Sequence, residues 1–178
     1  MTATGCTFSL GAARYGGVLA IHQGSTVEFS GCTMTANAAT GAGGALHCES
    51  GTHATLDHCI IAFGTDGEAI ASDDPGGNAT LSCCDLYNNA GGDWGPGIDD
   101  QLGVDVNVSE DPLFCSTVPD TDVYWALQSN SPFAQAPCGL MGAWLAACGT
   151  NAVLPASWGR IKAVLREWTP EAVGAGRR

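Results

Sequence analysis

The sequence predicts an all-β protein, a parallel β-helix with a C-terminal cap. Three observations carry that reading. An apolar alternation returns every 25 to 27 residues, each return is accompanied by a glycine-led apolar stretch, and the composition favours strands and tight turns over helices.

The chain has 178 residues, enough for one domain and a short appendage. Its hydrophobic share of 45% can fill a core, whereas charged residues reach only 13%. Glycine occurs 25 times, while the helix-favouring Glu, Lys and Arg are scarce. A formal charge of −12 repels phosphate backbones and anionic bilayers, which excludes nucleic acid as an expected partner. No stretch approaches the roughly 18 apolar residues of a membrane span. The opening MTATGCTFSL has neither a basic nor a long apolar region, so it does not read as a signal peptide. It begins inside a repeat, as the C-terminal piece of a longer exported protein or a misplaced start would.

The strands are justified in order by aligning VEFSGCTM (residues 27–34), ATLDHCII (54–61) and ATLSCCDL (79–86). Val27, Ala54 and Ala79 fall in register, as do Phe29, Leu56 and Leu81, then Met34, Ile61 and Leu86. Cys6, Cys32, Cys59 and Cys84 are separated by 26, 27 and 25 residues. Within a unit the apolar residues alternate, the pattern of a half-buried strand. One extra residue between Phe29 and Cys32 marks a bend between two short strands. A further strand follows each glycine: GGVLAIHQG (16–24), GGALHCESG (43–51) and GEAIASD (67–73). A unit of this size cannot bury its own apolar face, but stacked copies can, with parallel pairing at about 4.8 Å. The four cysteines then form one internal ladder. Leucine-rich repeats lack their L-x-x-L-x-L pattern here; a β-sandwich stays open as an alternative, although its turns need not recur in register.

After Leu86 the regularity loosens into a long glycine-rich acidic segment, followed by EDPLFCS (110–116) and VYWALQSNSPFAQAPCGLMGAW (123–144). Asp111-Pro112-Leu113-Phe114-Cys115, Trp125-Ala126-Leu127 through Ser131-Pro132, and Cys138-Gly139-Leu140-Met141-Gly142-Ala143 resemble the closing cassette of secreted bacterial right-handed parallel β-helix proteins. The glycine-led and cysteine-bearing coils look similar to the polymorphic-outer-membrane-protein type. The resemblance covers residues 1–148. It implies a right-handed, pectate-lyase-like helix of about four coils and a secreted or cell-surface location on a bacterium; it is almost silent on activity. The chain departs from the family at Phe133, where a cysteine often follows Ser-Pro. As a cap over roughly 108–148, the cassette would place Trp125, Leu127, Leu140, Met141 and Trp144 over the open apolar floor of the last coil. A disulfide among Cys115, Cys138 and Cys148, with Cys115–Cys138 favoured, would pin it, contributing typically about 2–4 kcal/mol.

Residues 149–178 read as a linker with Pro155 and a basic-aromatic tail. Trp158, Ile161, Leu165 and Trp168 share one helical face after a candidate N-cap, Ser157; a disordered tail is the alternative. Tails of this tryptophan-glycine-basic kind are similar to segments ending some exported repeat proteins, which implies docking or sorting.

Candidate chemistry rests on carboxylates. Asp93, Asp99 and Asp100 are the catalytic candidates, and Asp73, Asp74, Asp99 and Asp100 the metal candidates, with calcium as the ion such oxygens would take. Aspartates in Gly/Pro-rich turns are more commonly turn formers. A lyase also needs a basic residue, and the repeats hold only Arg14. His22, His47, His53 and His58 lie beside strand positions without zinc-finger spacing, and read as surface or edge residues. Cys83 and Cys84 are adjacent, so they point to opposite faces of a strand and form no C-x-x-C motif. The resulting expectation is a monomeric, non-catalytic exported module without a resident cofactor, presenting a flat face to polysaccharide or another cell-surface component. The rivals are a polysaccharide lyase or glycosidase, and a C-terminal fragment of a larger exported protein.

Overall fold

The computed structural model describes residues 1–74, 79–118 and 124–149. Apart from Gly149, the expected linker and tail lie outside the described residues. The chain forms a parallel β-solenoid of about three turns. The first coil supplies β1 (Thr2–Thr4), β2 (Thr7–Ser9), β3 (Ala12–Tyr15) and β4 (Leu19–Ile21). The second supplies β5 (Thr26–Ser30), β6 (Thr33–Thr35), β7 (Ala38–Ala42) and β8 (Leu46–Cys48). The third gives β9 (His53–Asp57), β10 (Ile60–Ala62) and β11 (Ile70–Ser72). A fourth is begun by β12 (Ala79–Ser82) and β13 (Asp85–Tyr87).

Every strand pair is parallel, and each strand meets its counterpart one coil away. The sheets run β1-β5-β9-β12, β2-β6-β10-β13, β4-β8-β11 and β3-β7. The registers match the sequence alignment: Phe29 opposes Leu56 and Leu56 opposes Leu81, while Phe8, Met34, Ile61 and Leu86 form a second row. These rows fill the interior together with Cys32, Cys59 and Cys84, all fully buried. Each ladder thiol donates to the carbonyl two residues before it: Cys6 to Thr4, Cys32 to Ser30, Cys59 to Asp57 and Cys84 to Ser82. A narrow interior with carbonyls turned toward it suits a small side chain that is apolar yet carries a weak donor.

The extra residue of each repeat is the corner before the ladder cysteine. Gly5, Gly31, His58 and Cys83 all hold φ between 51° and 60°, the left-handed region that turns β1 into β2 and repeats on each coil. Two coils use glycine there and two do not. At another corner the need for glycine is also spatial, because a Cβ on Gly43 would overlap the carbonyl of Leu46.

The end of the last coil is closed by the segment before the cassette. Trp94 and Ile98 pack against the interior cluster. Gln101 ends a one-turn 3-10 helix, Asp99–Gln101, and its amide accepts from Leu81 N–H at 2.8 Å while donating to Ala79 C=O at 2.8 Å. Asn107 likewise accepts from Cys84 N–H at 3.0 Å and donates to Leu81 C=O at 2.9 Å. Side-chain amides thus stand where another coil's backbone would be.

This corrects the placement expected for the cassette. It lies along the flank of the β2-β6-β10-β13 sheet rather than over the floor. Trp125, Leu127, Phe133, Met141 and Phe114 pack on the outward side chains Ile60 and Ala62 of β10 and on Cys83. Ala143 N–H donates to Thr33 Oγ1 at 2.9 Å, and the Trp144 indole donates to Thr7 Oγ1 at 2.7 Å, so the strap crosses to the first coil. The outward face of β10 is apolar and has to be covered, whereas the floor is already occupied by Trp94 and Ile98.

The favoured Cys115–Cys138 pairing is also overturned. The disulfides join Cys83 to Cys138 and Cys115 to Cys148. Cys148 bridges Gln128, and its carbonyl accepts from Ser129 N–H, next to the segment whose Ala126 carbonyl accepts from Cys115 N–H. Cys138 instead reaches the left-handed corner of the fourth coil. Cys83 and Cys84 do diverge, one into this disulfide and the other into the core.

Candidate binding face and the acidic positions

The flank most able to meet a ligand is built by the corner between β3 and β4. The turn at Gly16-Gly17 sets Arg14 and Tyr15 against the β4-β8-β11 sheet. There the outward row is Ala20, His47 and Ala71, and the strands are followed by His22, Glu49 and Asp73. The Tyr15 ring lies 5.0 Å from the His47 ring, and the Arg14 guanidinium sits 5.2 Å from the Tyr15 centroid. Tyr15 remains 41% exposed. His47 Nε2 is 3.2 Å from Asp73 Oδ1, and His22 Nδ1 is 2.6 Å from Glu49 Oε1, so each imidazole meets a carboxylate from the next coil. His47 is buried, so its Nδ1, which has no hydrogen-bond partner among the described residues, is closed to a substrate. The flank is therefore a platform: an exposed ring stacked with a cation and bordered by oriented donors and acceptors.

The carboxylates singled out by sequence do not come together as one site. Asp73 belongs to this flank through His47, and Asp74 Oδ2 accepts from Gly51 N–H at 3.0 Å. Asp93 accepts from Asn88 N–H, Asn89 N–H and the Asn89 side chain at 2.7–3.0 Å, organising its own turn. Asp99 and Asp100 are exposed on the 3-10 helix at the far end.

Asp85, which is not among the candidate carboxylates, is fully buried on the outward side of β13. Its Oδ1 accepts from Glu110 N–H at 3.0 Å, and Oδ2 has no partner among the described residues. Burial, reinforced by the charges of Asp93, Glu110 and Asp111, pushes its pKa up to about 8, so it is largely protonated at neutral pH. The sequence signal was an acidic residue at a strand position whose counterparts are Thr33 and Ile60.

Among the described residues, one group of three metal-capable side chains converges: His58, Cys83 and Cys138 have ligand atoms all within 4.8 Å of one another. His58 Nδ1 meets Asp57 Oδ2 at 2.8 Å and Nε2 meets the Cys138 carbonyl at 2.9 Å. Those bonds, the Cys138 carbonyl first and Asp57 second, raise the imidazole pKa against the opposing effect of burial. A separate hollow of about 620 Å³ lies beside β4 and β5, bordered by Met1, Leu19, Ile21, His22 and Thr26.

No protein-family model, curated protein or solved structure matches this chain. No helix among the described residues is long and apolar enough to cross a membrane.

Proposed function

We propose that this chain is a non-catalytic β-helix module, exported by a bacterium and akin to the polymorphic-outer-membrane-protein repeats, whose Tyr15 flank binds glycan. The observation that carries the reading is the exposed Tyr15 ring, set against His47 with the Arg14 guanidinium 5.2 Å from its centroid, on a flank that also carries the His47–Asp73 and His22–Glu49 pairs. Sugar rings offer C–H faces to aromatic rings and hydroxyls to carboxylates and imidazoles, and a flat sheet presents such groups at a fixed spacing. Two disulfides support an oxidising compartment. The absence of catalysis is favoured because, of the candidate carboxylates, Asp93 is taken up by Asn88 and Asn89 in its own turn while Asp99 and Asp100 stand exposed on the 3-10 helix rather than on the Tyr15 flank.

Affinity electrophoresis of the purified chain through gels containing neutral and acidic polysaccharides tests this. At least one polysaccharide should retard the protein, and Tyr15→Ala should weaken that retention about tenfold, the order expected for losing one stacked ring. No retardation by any gel, or retardation unchanged in Tyr15→Ala, would overturn the glycan assignment. Release of reducing ends or unsaturated products from the retained polysaccharide would overturn the non-catalytic one.

A further inference from the structure

We propose that the reduced protein binds one zinc ion at His58, Cys83 and Cys138, so that the junction between the third and fourth coils and the flanking cassette can be closed either by a disulfide or by a metal.

The ligand set is chemically suited. Two thiolates and one imidazole are a zinc donor set, and in the disulfide-bonded chain the two sulfurs and a His58 ring nitrogen already lie within 4.8 Å of one another. Asp57 Oδ2 holds His58 Nδ1 at 2.8 Å, the outer carboxylate that orients a metal-ligating histidine and leaves Nε2 for the ion. His58 and Cys138 are partly open to solvent while Cys83 is buried, so water can complete a tetrahedron from the open side.

The backbone sets two of the three side chains side by side. His58 and Cys83 occupy the same left-handed corner on successive coils, at φ 54° and 51°, where the first two coils place Gly5 and Gly31. The same conformation recurs one coil apart at Leu10, Ala36, Phe63 and Asn88, so it belongs to the solenoid; what distinguishes this corner is the pair of side chains it carries. Here both side chains converge on the Cys138 loop, and Gly142 N–H donates to the His58 carbonyl at 2.8 Å, fixing the cassette against that corner.

The chemistry balances. A dithiol reductant transfers two electrons and two protons to the Cys83–Cys138 bond, leaving two thiols, and departs as its own disulfide. Zinc then displaces the two thiol protons and the proton on His58 Nε2, which gives up its bond to the Cys138 carbonyl. Metal affinity therefore rises with pH. Of the free thiols, Cys32, Cys48, Cys59 and Cys84 are buried in the core, and the partly exposed Cys6 lies two coils away from the His58 corner.

The test uses the full chain, reduced with dithiothreitol and desalted without oxygen, then titrated with cobalt(II) and with zinc(II). One equivalent of cobalt should give a thiolate-to-metal charge-transfer band that zinc bleaches. Cys115→Ser/Cys148→Ser should keep the band, Cys83→Ser/Cys138→Ser should lose it, and Asp57→Asn should weaken affinity about tenfold. Mass-spectrometric footprinting with a maleimide on the reduced wild-type chain gives a second readout that depends on no variant's folding. Zinc should shield Cys83 and Cys138 and leave Cys115 and Cys148 reactive. Absence of a charge-transfer band, its persistence in Cys83→Ser/Cys138→Ser, or equal labelling of the four cysteines with zinc present would overturn the proposal.

Discussion

At the C-terminal end of the solenoid, Gln101 and Asn107 bond the exposed edge of the last coil while Trp94 and Ile98 cover its interior. At the N-terminal end, β1, β2, β3 and β4 each have, among the described residues, a strand neighbour on one side only, and Phe8, Val18 and Leu19 are only partly buried. The first coil does gain some backbone support, as the Met1 amino group donates to Thr26 C=O and Glu28 N–H to Met1 C=O. The difference teaches how a repeat fold is finished. The interior of each coil is made by the next one, so an end closes with side chains that imitate a coil, as those of Trp94, Ile98, Gln101 and Asn107 do after the last one.

The comparison breaks most visibly in the aromatic pair that spans the first two coils. Phe8 and Phe29 meet edge to face at 5.9 Å, but Phe29 is 1% exposed and Phe8 is at the open end. Phe29→Ala should cost about 3–5 kcal/mol, the range for a buried ring, and Phe8→Ala clearly less, because its site can collapse and admit water. Urea denaturation of both variants measures the difference. Equal losses would mean that the first coil is as tightly held as the second.

Asn107 comes next. It is 1% exposed, and truncation to alanine strands Cys84 N–H and Leu81 C=O in a dry environment. The expected cost is about 2 kcal/mol, in the range for buried groups left unpaired. Amide hydrogen exchange should localise the loosening to β12 and β13, leaving β1 to β4 at their original rates. Loosening of the first coil by Asn107→Ala would show that the two ends unfold together.

The stacking itself was legible because each coil repeats the same inward residues; the rows through Phe29 and through Met34 were readable to the residue. The bend was legible too, as one residue too many between Phe29 and Cys32, occupied by Gly31 in the left-handed region. The destination of the cassette was not, because aromatic residues report that they need apolar cover without reporting which surface supplies it. One signal pointed to the flank: Ile60, Ile61 and Ala62 are apolar without alternation, the mark of a strand buried on both faces. The end closure was hidden in Gln101 and Asn107, polar loop residues whose amides gain meaning only from the strand edge they meet. Cys83 was masked by its neighbour Cys84, since the ladder accounted for only one of the two. His47 and Asp73 lie 26 residues apart, one coil of the helix, so their pairing follows from the repeat once the outward row is read with the inward one.

Acidity sharpens the comparison at the closed end alone. Asp85 lies on β13, and its carboxyl accepts from Glu110 N–H, tying the last strand to the segment that leads into the cassette. Its pKa is pushed from the ordinary value near 4 up to about 8, first by burial and then by the charges of Asp93, Glu110 and Asp111. Between those values the folded chain keeps a proton that the unfolded chain releases. Stability therefore falls as pH rises from about 4 to about 8, with a slope approaching about 1 kcal/mol per pH unit from this group, and levels off above. Asp85→Asn can retain the acceptor for Glu110 N–H and removes the titration. It should be more stable than wild type at pH 8, and the advantage should shrink toward pH 5. His58, whose pKa is also raised, contributes a loss of the same sign with rising pH, but it is present in both proteins and cancels from their difference. Urea midpoints at pH 5, 6, 7 and 8 give that difference curve. A flat curve would mean that the Asp85 carboxyl does not keep its proton in the folded chain, and the pH sensitivity assigned to the closed end would have to come from another group.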